Sequence, residues 1–263
     1  MYTRYERIQV AVADRIATVT LDNPQKLNAT DALLHTELST IFADLQRDHD
    51  VDVVILTGAG RAFSAGGDIE WMQDAIDDPD SFEQTVLEAK QIIFTLLELE
   101  KPIIAKVNGP AVGLGATIAL FCDVIFADER AMIGDPHVAV GFVAGDGGAV
   151  IWPQLVGYAR AKEYLMTGDL ISASTAAEIG LINHAVPAEA LDARVDEFAA
   201  RLRAGATKAI RWSKVSVNIG LKQLAHSIMD TSLAYEALSN RTVDHAEGVA
   251  AFRERRQPKF QGR

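Results

Sequence analysis

Apolar residues alternate with other positions along Ile8–Ala13 and again along Ile16–Leu21, the period of strands with one face on a core. Asp14 and Arg15 stand between the two runs and predict a strand, a tight turn and a strand. Asp31 then precedes Leu33, Leu34, Leu38, Ile41, Phe42 and Leu45, a helical spacing with an N-cap in place. Val51–Thr57 is a short β-branched run ending in Gly58-Ala-Gly60, which reads as a buried strand entering a loop. A second cycle repeats the plan: a helix over 82–99, a strand over 102–107, a turn at Asn108-Gly-Pro110, an apolar helix over 114–121, and short strands over 124–127 and 131–133. Strand, glycine-rich loop and helix in recurring order predict an α/β protein. From Ala188 onward the pattern is wholly helical, over 188–203, 207–218, 222–240 and 244–255. That change divides a core over 1–200 from a helical C-terminal region over 201–263, whose amphipathic faces call for a partner surface.

Composition narrows the function classes. The 263 residues suit one large domain or a domain with an appendage, and 49% hydrophobic residues supply a sizeable core. A formal charge of −11 argues against nucleic acid and against an anionic membrane surface as partner. The final stretch runs the other way, with Arg253, Arg255, Arg256, Lys259 and Arg263 opposed only by Glu254. Such a tail suits one small polyanion better than a polymer. The single cysteine, Cys122, excludes an internal disulfide or a multi-cysteine metal site, and its apolar surroundings make it a buried small hydrophobe. No metal site is expected. With no secretory signal visible at the start, the expected location is cytoplasmic.

Two glycine-bearing segments carry the chemistry. Gly58-Ala-Gly-Arg-Ala-Phe-Ser-Ala-Gly-Gly-Asp-Ile69 follows a strand, yet Phe63 stands where a dinucleotide fingerprint needs glycine, and no Gly-Lys-Ser/Thr follows as in a P-loop. Its small residues instead let backbone N–H groups face a ligand without obstruction. Asn108-Gly-Pro-Ala-Val-Gly-Leu-Gly115 ends at a helix start, where free N–H groups and the dipole favour developing negative charge. Two such loops beside neighbouring strands could aim two donors at one oxygen, the requirement for holding an oxyanion.

Lys26-Leu-Asn-Ala29, Phe63-Ser-Ala-Gly-Gly-Asp-Ile69, Asn108 to Gly115, Cys122-Asp-Val124, Gly180-Leu-Ile-Asn183 and Phe252 to Phe260 occur in an order that resembles the crotonase (enoyl-CoA hydratase/isomerase) superfamily along nearly the whole chain. The resemblance implies a spiral of ββα units with a helical trimerisation region, assembled as a homotrimer or a dimer of trimers. It implies an oxyanion hole made by the N–H groups of Gly67 and Leu114, with an acyl-CoA thioester carbonyl between them. Lys26, Leu27, Ala65, Asp68 and Ile69 match segments that line the CoA pocket, and Lys259 and Phe260 match a tail that reaches CoA, sometimes a neighbouring subunit's. No permanently bound cofactor is implied, since coenzyme A enters as part of the substrate.

The chain departs from this family at the acid/base positions. Hydratases of the usual kind place glutamates where this chain has Thr117 and His137. What stands in that region is Asp135-Pro-His-Val138, followed by Gly145-Asp-Gly-Gly148. A neutral imidazole titrates near neutrality, and a carboxylate from Asp146 on its other nitrogen would fix its tautomer. Asp135 is the local alternative as a hydrogen-bond partner. The resulting expectation is water addition to an enoyl-CoA through His137 and Asp146. The His/Asp spacing also resembles β-diketone hydrolases of the superfamily, so cleavage of a 1,3-dicarbonyl carbon–carbon bond or of the thioester is a second expectation. Acyl-CoA binding without turnover is a third.

Overall fold

The computed structural model describes residues 2–263. Strands β1 (Ile8–Ala13) and β2 (Ile16–Leu21) form the expected hairpin, with Ala13 opposite Ile16. Asp14 and Arg15 both take positive φ, 47° and 64°, which matches the twist of a two-residue hairpin. Helix α1 (Ala32–Arg47) is capped by Asp31, whose carboxylate accepts the Leu34 N–H at 2.9 Å. Strand β3 (Val53–Gly58) is buried along its whole length, as a strand covered on both faces must be. Helices α2 (Ile69–Asp77) and α3 (Phe82–Glu98) lead to β4 (Ile103–Val107), the short β5 (Ala111–Val112) and α4 (Leu114–Leu120).

Strands β6 (Val124–Asp128) and β7 (Met132–Gly134) precede α5 (Gly148–Thr167), which is interrupted at Gly157, where φ is 77° and ψ 161°. Strand β8 (Ile171–Ser172), α6 (Ala173–Glu178) and β9 (His184–Val186) complete the sheets. Six strands run in the order β1-β2-β3-β4-β6-β9, parallel except for the first hairpin, and β5-β7-β8 form a second, three-stranded sheet. The α/β expectation is met.

The C-terminal region holds α7 (Ala188–Ala204), α8 (Thr207–Ser239) and α9 (Val243–Glu254). Leu191, Val195 and Ala199 of α7 pack on Val53, Ile55 and Phe126, so this helix covers the sheet rather than standing apart. The sequence predicts two helices, over 207–218 and 222–240, where the structure has one, which runs through Gly220. A glycine inside a helix costs only about 1 kcal/mol, which packing overrides. The buried residues Ala225, Met229, Ser232, Leu233, Glu236 and Ser239 mark the stripe α8 turns inward. Among the described residues no helix is long and apolar enough to cross a membrane.

Candidate functional site

The two glycine turns lie directly against each other. Ser64 and Ala111 form a parallel bridge, and the Val112 N–H donates to the Ser64 carbonyl at 2.9 Å. Gly66 takes φ +88° and Gly113 φ +53°, conformations that disfavour a side chain. A Cβ on Gly115 would come within 2.6 Å of the Ser64 Cβ, so the close approach itself demands glycine there.

Polar side chains lock this arrangement from behind. Asn108 Nδ2 donates to the carbonyls of Gly58 and Gly60 at 2.9 and 3.0 Å, while its Oδ1 accepts the Gly58 N–H at 3.2 Å. The fully buried Asn28 donates to Ala59 and Ala62 and accepts the Asn23 N–H. Ser64 Oγ donates to the Asn28 carbonyl at 2.8 Å and is buried, which makes it a brace and not a nucleophile. Cys122 is buried as expected, with burial pushing its thiol far above the usual range.

Neither the Gly67 nor the Leu114 amide N–H enters a hydrogen bond within the described chain. Thr30 N–H takes the Gly66 carbonyl and Asp68 N–H takes the Thr30 carbonyl, passing Gly67 by. Leu114 is the first residue of α4, where an N–H has no helical partner. Gly67 borders both of two adjoining cavities. The outer cavity, of about 540 Å³, is within the size range of ligand sites and is lined by Lys26, Leu27, Ala65, Asp68, Ile69 and Phe252, among others. The inner one, of about 50 Å³, is lined by Leu114, His137, Asp146, Glu236, Asn240 and His245 together with Trp71, Met72, Phe82 and Phe142, among others.

Five sequence-predicted pocket residues, Lys26, Leu27, Ala65, Asp68 and Ile69, therefore meet in the outer cavity. Asp68 caps α2 by accepting the Glu70 N–H at 2.9 Å, and its other oxygen pairs with Lys26 Nζ. Burial opposes the Asp68 charge, but the Lys26 contact outweighs it and holds the carboxyl below its ordinary range. Lys259 and Phe260 do not reach either cavity of this chain. The Lys259 N–H donates to Glu247 at 2.7 Å, and the Gln261 and Gly262 N–H groups donate to Asp244 at 2.6 and 2.7 Å, which lays the tail along α9. Phe252, upstream in the same segment, is the residue that reaches the outer cavity.

His137 borders both cavities and stands 3.6 Å from a Cβ built on Gly113. Its Nδ1 bonds Asp135 Oδ1, and its Nε2 lies 3.7 Å from Asp146 Oδ2, beyond hydrogen-bond reach. The expected pairing is thus corrected: Asp135, two residues away, orients the ring, and Asp146 faces the nitrogen that points toward the cavity. The expected neutral imidazole is corrected as well. Burial disfavours a charged ring, but the carboxylates of Asp135 and Asp146 outweigh it and push the pKa up to about 10. At neutral pH the ring is an imidazolium. Asp146 is itself pushed upward by burial and by Asp135, against the pull of His137. Asp135, His137 and Asp146 could present three metal-ligating atoms, yet Nδ1 is already committed to Asp135.

Thr117, at the other departure from the family pattern, is fully buried and borders neither cavity; its Cγ2 would meet a Cβ on Gly147 at 2.8 Å. Sequence reasoning missed Glu236, Asn240 and His245. A signal was present, because Glu236 falls on the inward stripe of α8 and Asn240 follows four residues on, a polar pair where the helix faces the interior. Burial, then the Asp146 charge, raises Glu236 well above the carboxylate range. Burial lowers His245, whose Nδ1 faces the Val140 carbonyl at 2.8 Å. His184 opens β9 and stacks on Phe126.

The sequence profile of the enoyl-CoA hydratase/isomerase family matches residues 12–263. A crotonyl-CoA hydratase of Syntrophomonas wolfei is 34% identical over 97% of this chain and 98% of its own length. An enoyl-CoA hydratase/isomerase from Mycobacterium paratuberculosis superposes with a TM-score of 0.90 at 34% identity, covering 93% of this chain and 97% of that one. A β-diketone hydrolase from the cyanobacterium Anabaena, solved with (S)-3-oxocyclohexyl acetic acid bound, gives 0.85 at 30% identity over 91% and 96% of the two chains. By these whole-length likenesses the chain belongs to the enoyl-CoA hydratase/isomerase family.

Proposed function

We propose that the chain adds water to the double bond of a 2-enoyl-CoA. The observation that carries this reading is the placement of His137 and Asp146 beside two unpartnered amides at the junction of the cavities. CoA occupies the outer cavity and the acyl group points inward. The Gly67 and Leu114 N–H groups hold the thioester oxygen as it gains charge, a role typically worth roughly 100- to 1000-fold in rate for each donor. A water between His137 Nε2 and Asp146 Oδ2 loses a proton to the Asp146 carboxylate as its oxygen bonds to C3. The enolate then takes the Nε2 proton of His137 at C2, and the proton on Asp146 passes back to the ring. One water is consumed, and both side chains end as they began. Asp135 keeps the ring oriented and charged throughout.

His137→Ala should lower kcat by about 100- to 10000-fold, the usual worth of a positioned acid or base, while CoA-ester affinity persists. Unchanged turnover would remove His137 from the chemistry. The likeness to the β-diketone hydrolase, together with a histidine at the acid/base position, supports a second reading, hydrolysis of a 1,3-dicarbonyl carbon–carbon bond. A shortened product or free CoA would select hydrolysis, and a 3-hydroxyacyl-CoA would select hydration.

The exposed Trp212, Val217, Ile219, Tyr235 and Leu238 of α8 support assembly as a homotrimer or a dimer of trimers. Lys259 and Phe260 would then serve a neighbouring subunit's CoA. A cytoplasmic setting, and coenzyme A as part of the substrate in place of a resident cofactor, complete the proposal.

A further inference from the structure

The inner cavity presents a mostly apolar surface. The unpartnered atoms of Asp146, Glu236, Asn240 and His245 are themselves buried, so they offer a ligand nothing. The lining divides into an entrance and an end. Gly67, Met72 and His137 border both cavities, so the passage between the two runs among them. A Cβ on Gly67 would meet Met72 Cε at 2.5 Å, which puts the thioether methyl at that passage. An unbranched thioether turns aside at little cost, so the entrance yields. Residues that border only the inner cavity form its end. Phe82, Thr85 and Ala89 come from one face of α3. Phe82 is buried and meets Phe142 edge to face, with ring centroids 5.9 Å apart and planes at 80°. Phe142 in turn stacks on His245 at 4.5 Å. A ring held from two sides cannot turn away without losing both contacts, so the end does not yield. Ala75 completes this apolar cluster, which stands apart from the main core, and Asn240 holds the Ala75 carbonyl at 2.8 Å.

We propose that Phe82 is the stop for the acyl chain, and that the substrate is a short, apolar 2-enoyl-CoA. This deepens the proposed hydration and rests on its CoA-ester reading of the site. With the thioester oxygen at Gly67 and Leu114 and the reacting carbons beside His137, the chain beyond them enters the inner cavity. A dry apolar cavity of about 150 Å³ takes one benzene ring. At about 50 Å³ this one takes no ring, and at most about two or three carbons past the double bond. The acyl group so defined has about four to six carbons. The same walls select against a polar end, since a hydroxyl or carboxylate would lose its water and find few partners. A longer chain would have to displace Phe82, and with it Phe142.

The test compares 2-butenoyl-CoA, 2-hexenoyl-CoA, 2-octenoyl-CoA and cinnamoyl-CoA by kcat/KM, and their saturated analogues by calorimetric Kd. The octenoyl and cinnamoyl esters should fall below the hexenoyl ester by about tenfold or more, since one methylene too many in an apolar pocket already costs about 10- to 200-fold. Phe82→Ala should raise the octenoyl-to-butenoyl ratio by about tenfold or more. Thr85→Leu, which fills the same face of α3, should lower the hexenoyl-to-butenoyl ratio, and it carries the test should Phe82→Ala fail to fold. Equal handling of all four esters by the parent overturns the inference and leaves hydration standing. A ratio that a folded Phe82→Ala leaves unmoved overturns Phe82 as the stop. Affinities that obey the length limit without turnover of any ester support the inference and overturn hydration. Affinities that ignore chain length overturn it whether or not the esters turn over.

Discussion

Two buried polar networks sit within one site, and they differ in how completely they are satisfied. Behind the glycine turns, Asn28, Asn108 and Ser64 find partners in the backbone. Around the inner cavity, Asp146, Glu236, Asn240 and His245 each keep an atom with none. Buried polar groups are ordinarily paired, because an unmade bond costs more than a made one returns. The first network therefore reads as framework, holding two main-chain turns in place. The second is incompletely satisfied and carries the stability cost of its unpartnered atoms beside the inner cavity.

The sharpest way to break this contrast is to disturb the framework. Asn28→Ala would leave the Ala59 and Ala62 carbonyls and the Asn23 N–H unpaired in the interior, at a cost of about 3 kcal/mol in a urea titration. Turnover should fall with it, since the turn that positions Gly67 would lose its brace. A variant as stable as the parent would show that the backbone holds the turn unaided.

Next in size is Asp135→Asn, which removes the charge that most raises the His137 pKa. Turnover that needs the imidazolium should persist toward pH 10 in the parent and fall as the ring loses its proton. In the variant that alkaline limb should move toward neutrality, with kcat lowered about tenfold at pH 8. A limb that does not move would exclude His137 as the titrating group. The same raised pKa has a stability counterpart. The native ring holds its proton above the unfolded value of about 6.5, so its contribution is complete below that pH and is lost as pH rises through about 10. Urea midpoints of the parent, compared with those of His137→Gln, should converge across that window.

The smallest effect is the most diagnostic of the contrast. Glu236→Met removes a buried carboxyl with one unpartnered oxygen and should change stability by no more than about 1 kcal/mol, with a gain as readily as a loss. A loss as large as that of Asn28→Ala would mean that Glu236 belongs to the framework.

The parts of this arrangement differ in how visible they are along the chain. The β1–β2 hairpin and α1 could be read residue by residue, because alternation, a two-residue turn and an Asp cap are local signals. The glycine turns could be read because close backbone approach excludes side chains. The partners of His137 could not. Asp135 and Asp146 both stand within ten residues of it, and only the turn of the chain between β7 and α5 decides which nitrogen each one meets. Nor does spacing report the sum of two buried carboxylates, which decides the charge on the ring. The inner cavity was least visible of all, since Glu236, Asn240 and His245 arrive from helices about a hundred residues downstream.

The contact of one glycine turn on the other has a consequence for how such a protein can change its reaction. Main chain touching main chain sets where the two amides lie, so no side chain at positions 117, 137 or 146 is needed to locate them. Under the proposed reading, those positions can exchange an acid for a base, or lose either, without moving the two turns, and Thr117 and His137 are such exchanges.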